Sequence, residues 1–155
     1  MKLLILSDSH GNLDNMIRAV ERTSPRMVFH LGDCWRDGQR LHAAFPELEL
    51  VQVPGNCDFC AGEPAERLVQ VADRRIFLCH GHTYGVKDSL LTIGDTAAER
   101  RADLCLFGHT HRPLQTWRGN TLLLNPGSIG DYLAPSYAVV RILNGQWTAD
   151  LFRLE

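Results

Sequence analysis

The chain has 155 residues, 45% of them hydrophobic and 22% charged, the proportions of one ordinary globular domain spanning residues 1–155. No apolar run exceeds four residues, which excludes a membrane span, needing about 20, and a secretory signal, whose apolar stretch needs roughly 7–15. A formal charge of −2 excludes a surface that grips nucleic acid through its phosphates.

Lys2 to Ser7 is an apolar run of strand length. Asn12 is placed to cap a helix in which Leu13, Met16, Ile17 and Val20 recur at helical spacing, and Ser24-Pro25 stops it. Met27 to Leu31 reads as a second strand, Trp35 to Ala44 as a short helix ending before Pro46, and Leu48 to Val53 as a third strand. This β-α-β-α-β opening predicts a mostly parallel sheet with helices packed against it. Glu66 to Val71 and Arg75 to Cys79 read as paired strands, a helix falls within Lys87 to Arg101, and Leu104 to Phe107 is another buried strand. The remainder reads as antiparallel. Leu114 to Trp117 and Thr121 to Leu124 flank Gly119-Asn120, while Tyr137 to Leu143 and Trp147 to Leu154 flank Asn144-Gly145, a strong hairpin signal. The expected class is α/β with an α+β second half: a four-layer sandwich of two mixed sheets packed face to face, with helices outside.

Five cysteines, an odd number without an export signal, read as reduced cytosolic thiols and place the chain in the cytoplasm. Cys57-Asp58-Phe59-Cys60 is a C-x-x-C, but no second pair follows at zinc-finger spacing. Gly62 and Pro64 break up the helix that a redox pair of this type would open.

The seven histidines are the one compositional oddity, and they concentrate after the strands. The five buried runs lead in turn into Ser7-Asp8-Ser9-His10-Gly11, Gly32-Asp33, Pro54-Gly55-Asn56, His80-Gly81-His82 and Gly108-His109-Thr110-His111. Ligands in open α/β sheets gather at the carboxyl ends of strands, so adjacent parallel strands would bring these loops together. Packed without a cation, such a cluster would bury several unpaired polar groups at roughly 1–3 kcal/mol each. Mixed carboxylate and imidazole donors suit Mn, Fe, Zn, Ni or Co. Seven donors fit two adjacent ions sharing a carboxylate better than one tetrahedral ion. Two divalent cations against Asp8, Asp33 and a hydroxide leave a small positive charge, a site for an anion such as phosphate. The helix opening near Asn12 points its N-terminus the same way.

In order and spacing, Asp8-Ser9-His10, Gly32-Asp33, Gly55-Asn56, His80-Gly81-His82 and Gly108-His109-Thr110-His111 resemble the five motifs of the calcineurin-like metallophosphoesterase superfamily. With Leu124-Asn125-Pro126-Gly127-Ser128, the chain is most similar to the small bacterial and archaeal phosphodiesterases related to the retromer Vps29-type subunit. The resemblance implies a double-β-sandwich core. It also implies one metal on Asp8, His10, Asp33 and His111, and a second on Asp33, Asn56, His80 and His109, with Asp33 bridging. It further implies a metal-bound hydroxide as nucleophile and Mn²⁺ as the metal. The position after Asn56, a histidine in many members, is Cys57 here, which leaves the general acid open; His82 is the candidate. The expected activity is hydrolysis of a small phosphodiester. A phosphomonoesterase or nucleotidase and a protein-interaction scaffold are the alternatives, and a homo-oligomer is compatible with all three.

Overall fold

The computed structural model describes residues 1–59 and 62–155. Its elements are β1 (Lys2–Leu6), α1 (Leu13–Thr23), β2 (Met27–His30), α2 (Trp35–Ala44), β3 (Glu49–Gln52), β4 (Glu66–Val71) and β5 (Arg74–Cys79). They continue as a 3₁₀ turn at His82–Tyr84, α3 (Leu91–Glu99), β6 (Leu104–Leu106), β7 (Leu114–Arg118), β8 (Thr121–Asn125), β9 (Ser136–Leu143) and β10 (Gln146–Arg153). No helix among the described residues is long and apolar enough to cross a membrane.

The strands form two five-stranded sheets, ordered β10-β9-β1-β2-β3 and β4-β5-β6-β8-β7. Strand β1 is central and fully covered: Leu3 and Ile5 face the second sheet, while Leu4 and Leu6 face α1 and α2. That is why Leu3 to Leu6 is a continuous apolar run rather than an alternating one. From the second sheet, Ile76, Leu78, Leu104, Leu106, Leu122 and Leu124 fill the space between the sheets. Their neighbours Phe77, Cys105, Phe107 and Leu123 turn outward against Ile93 and Ala97 of α3. Three apolar layers therefore separate helix, sheet, sheet and helix, the expected four-layer sandwich. Each fully buried Leu, Ile or Phe contributes about 1.5–3 kcal/mol.

Helix α1 begins as expected, with the Asn12 side chain accepting the Asn15 N–H at 3.0 Å. It ends at Ser24, in the left-handed region at φ 46°. Both predicted hairpins pair antiparallel, and the second sheet is mixed as expected, because β5, β6 and β8 run parallel to one another. Strand β7 pairs antiparallel with β8 as the hairpin signal required, but it occupies the sheet edge and leaves the inner edge of β8 to β6. A hairpin signal reports only the pairing of chain neighbours. These parallel pairings place six strand ends at one pole of the molecule: those of β1, β2 and β3 from one sheet, and of β5, β6 and β8 from the other.

Candidate metal centre

Five of the seven expected ligands, Asp8, His10, Asp33, His109 and His111, have φ between 45° and 70°. Side-chain-bearing residues rarely adopt this left-handed region, although Asp, Asn and His tolerate it better than most. The chain turns sharply on leaving each strand, and backbone strain of this kind concentrates at functional sites. Glycines let these turns pack together. A Cβ on Gly55 would land on Asp33 Oδ1, and one on Gly108 would land on Ser7 Oγ and within 2.8 Å of Asp8 Oδ2.

The side chains brought together show a consistent polarity. Asp8 is fully buried, and its Oδ2 accepts from Ser7 Oγ–H at 2.6 Å and from the His109 N–H at 3.2 Å. Asp33 Oδ1 accepts from the Cys57 N–H at 3.0 Å. His80, also fully buried, donates Nδ1–H to the Leu31 carbonyl at 2.8 Å. That bond fixes the imidazole so that its Nε2 lone pair points inward. The outer atom of each group is thus engaged, while the inner atoms face one another. His80 Nε2 lies 3.7 Å from Asp8 Oδ1 and 3.5 Å from Asp33 Oδ2. Neither Asp8 Oδ1 nor His80 Nε2 has a hydrogen-bond partner among the described residues.

Two half-exposed imidazoles close the cluster. His111 Nε2 is 3.1 Å from Asp8 Oδ1, and His10 Nε2 is 3.8 Å from the same atom and 3.9 Å from Asp33 Oδ2. Ligand atoms of Asp8, His10, Asp33 and His111 all lie within 4.8 Å of one another. The His109 ring centroid sits 5.1 Å from that of His80. Asn56 is exposed in the loop after β3, next to Cys57. His82 flanks His80 and His109 at centroid distances of 5.5 and 6.2 Å.

Electrostatics follow this geometry. For Asp33, burial opposes ionisation, but the His80 imidazole and the Cys57 N–H outweigh it and hold the carboxyl far below the usual range. Burial alone would depress His80; the Asp33 and Asp8 carboxylates overcome it and raise its pKa. His82 and His109 shift the other way, each lowered by burial and then by His80. Burial, then Asp33, raises the Cys57 thiol, so it keeps its proton at neutral pH.

Several supporting residues escape a motif reading. The Asp58 carboxylate accepts four backbone N–H groups, those of Asp33, Cys34, Trp35 and Gly55, at 2.8–3.0 Å. It thereby caps α2 and ties the loops after β2 and β3 together. Buried Asp37 accepts the Gly11 N–H at 2.7 Å. Asn125 donates to the Gly108 carbonyl and to Thr110 Oγ1, and Ser128 Oγ–H donates to the Asp8 carbonyl. The 124–128 segment therefore fastens the loop that carries His109 and His111.

His30 and His42 lie outside the cluster. His30 is fully buried, accepting the Gly32 N–H on Nδ1 and meeting Ser9 Oγ through Nε2 at 2.9 Å. Burial takes its pKa down to about 4, so it is neutral. His42 is exposed on α2. Cys34, Cys57, Cys79 and Cys105 are free thiols. Cys60, the second half of the C-x-x-C, lies outside the described residues.

Residues 1–145 match the calcineurin-like phosphoesterase superfamily domain. Over 132 residues the chain is 36% identical to the probable metallophosphoesterase YsnB of Bacillus subtilis, an alignment covering 83% of this chain and 75% of that protein. It is 29% identical over 156 residues to the phosphodiesterase YfcE of Escherichia coli, covering 83% and 79%. Among solved structures, a predicted phosphoesterase from Streptococcus pneumoniae superposes with a TM-score of 0.82 at 30% identity, covering 98% of this chain and 88% of that one.

Proposed function

The chain belongs to the calcineurin-like phosphoesterase superfamily, and from that premise we propose that it hydrolyses phosphodiesters with two divalent ions held at the strand ends. One observation carries the reading. Asp8 Oδ1, Asp33 Oδ2 and His80 Nε2 are electron-pair donors aimed at a common point from rigid, buried positions, and two of them lack any hydrogen-bond partner among the described residues. Groups that repel one another this closely are reconciled by a cation.

In this reading Asp8, His10, Asp33 and His111 hold one ion. Asp33, Asn56, His80 and His109 hold the other, with the Asp33 carboxylate shared. Carboxylate and imidazole donors suit Mn²⁺ first, and Zn, Fe, Ni or Co as substitutes. Such ions activate a water molecule and neutralise charge on a phosphoryl group. The chain's residues hold that centre still: Leu31 orients His80, the Cys57 N–H orients Asp33, and Ser7 and the His109 N–H orient Asp8. A scaffold role requires none of this, whereas here all seven positions carry a competent donor. A cytoplasmic setting accords with the four free thiols.

Diester preference rests on the similarity to the phosphodiesterase YfcE and on the surface around the cluster. One groove reaches it at His10, beside Cys34 and Cys57, and a second runs past Thr110, the residue between His109 and His111. A phosphate seated at the cluster has room for an ester arm in the groove at His10. A panel of mono- and diesters, cyclic nucleotides and aryl esters, assayed with each candidate metal, tests the reading. The expected result is fastest turnover of an aryl diester with Mn²⁺, and a preference for monoesters would overturn diester specificity.

His82 is the proposed proton donor to the leaving group, since the Cys57 thiol is a weak acid at this position. It lies beside both His80 and His109, and its Nδ1 has no partner among the described residues. Because its pKa is lowered, the protonated ring is populated only on the acid side of the ordinary histidine range. His82→Ala should therefore slow alkyl diesters more than aryl diesters, whose leaving groups need no proton, and the difference should widen below pH 6.5. Equal losses on both classes would remove His82 as the acid.

A further inference from the structure

The groove that meets the cluster at His10 also runs past Trp35, Arg36 and Phe59, and encloses about 650 Å³, within the range of small-molecule sites. Its aromatic walls are unlike those of the second groove, where Val86, Leu90 and Leu114 present aliphatic surface beside Lys87 and Arg112.

Phe59 is 85% exposed, so its ring has almost no packing of its own. Trp35 is held from behind. With its amide oxygen turned to the indole, buried Gln52 accepts Trp35 Nε1–H at 2.8 Å and donates to the Trp35 carbonyl at 3.2 Å. Gly38 makes room for this arrangement, because a Cβ there would strike the end of the Gln52 side-chain amide. The indole plane is thus fixed before anything binds, and stacking on it costs little ordering entropy.

We propose that this groove receives a nucleoside arm of the phosphodiester, its base stacked against Trp35 and Phe59 and its phosphate at the metal cluster. The proposal rests on the phosphodiesterase reading and names the substrate class. A flat heteroaromatic base with a hydroxylated sugar matches two aromatic faces, the Arg36 cation and the polar floor at His10 and Cys34. An acyl chain would match the aliphatic groove instead.

The test compares thymidine 5′-(p-nitrophenyl phosphate) with methyl p-nitrophenyl phosphate, which share a leaving group and differ only in the retained arm. The expected kcat/KM ratio favours the nucleoside ester by about tenfold, the scale of one base stacked on an aromatic ring. Phe59→Ser, which disturbs no packing, and Trp35→Leu should each bring that ratio towards one, while Leu90→Ala in the other groove should preserve it. A ratio that survives both aromatic substitutions, or falls with Leu90→Ala, overturns the proposal. If the wild type hydrolyses neither ester with any metal, the phosphodiesterase reading has failed. The groove is then judged by titrating thymidine 5′-monophosphate against tryptophan fluorescence. Quenching that disappears in Trp35→Leu supports the stacking site, and absence of quenching overturns it.

Discussion

Dialysis against a chelator should abolish hydrolysis of bis(p-nitrophenyl) phosphate, and Mn²⁺ added back should restore it. The loss should exceed the roughly 10²–10³-fold cost of deleting one transition-state donor, because the two proposed ions would replace several such donors at once. A second readout follows from the buried acceptors. Ion binding at 100 times Kd stabilises the folded state by about 2.7 kcal/mol, which in a domain of this size raises Tm by roughly 5–11 °C. Proton competition adds a signature. In the metal-free protein Asp33 and Asp8 raise the pKa of His80, so below that pKa a proton sits where an ion must bind. Metal affinity should therefore fall as pH falls through the raised His80 value, and binding should release a proton. Activity that survives complete chelation, with no thermal shift on adding Mn²⁺, would sink the metal mechanism.

What the sequence discloses about this centre is what lies next to an apolar run. Asp8, Asp33 and His109 follow buried strands by a few residues, so the turn that carries each is encoded locally by the neighbouring Gly and by its own tolerance of positive φ. The bonds that aim the donors inward are not local. Leu31 to His80 spans 49 residues, Asp58 to Asp33 spans 25, and Ser128 to Asp8 spans 120. No periodicity or capping rule reaches across such distances, so Asp58 is in the sequence only an inner residue of the C-x-x-C and in the fold the clasp of two loops. Trp35 and Gln52 are likewise united only by the β2–β3 pairing that sets α2 against β3.

The limits of α3 were illegible for a different reason. The interval Lys87 to Arg101 contains the helix Leu91–Glu99, but Leu90 at its start makes no side-chain capping bond and Gly94 interrupts its centre. Tertiary packing decides that segment: Ile93 and Ala97 are buried against Phe77 and Phe107, and a Cβ on Gly94 would strike Arg118 of β7. A helix specified by what it packs against carries weak boundary signals of its own. The β6–β8 pairing belongs to the same category. It is fixed by which strand fills the gap in the sheet, and nothing within Leu104 to Phe107 or Thr121 to Leu124 names the partner.

Asp33→Asn should separate metal binding from folding more sharply than any other single change. The side chain keeps its shape, and its amide oxygen can still accept the Cys57 N–H that Asp33 Oδ1 accepts now. The amide nitrogen then takes the place of Oδ2, 3.5 Å from His80 Nε2, and offers a donor to an atom that lacks one. A buried acceptor gains a donor, but the ionised carboxylate that His80 and the Cys57 N–H favour is lost with it, so the metal-free variant should stay folded and melt close to the metal-free wild type. The ligand proposed to be shared is lost at the same time. Activity with Mn²⁺ should fall by more than about 100-fold, the upper end of what losing a residue that only supports a ligand costs. The thermal shift on adding Mn²⁺ should shrink with it. Metal content measured on the folded variant decides the point. Loss of both ions is the expected result, whereas one ion per chain at full occupancy would show that Asp33 serves a single ion and that the two sites do not share it.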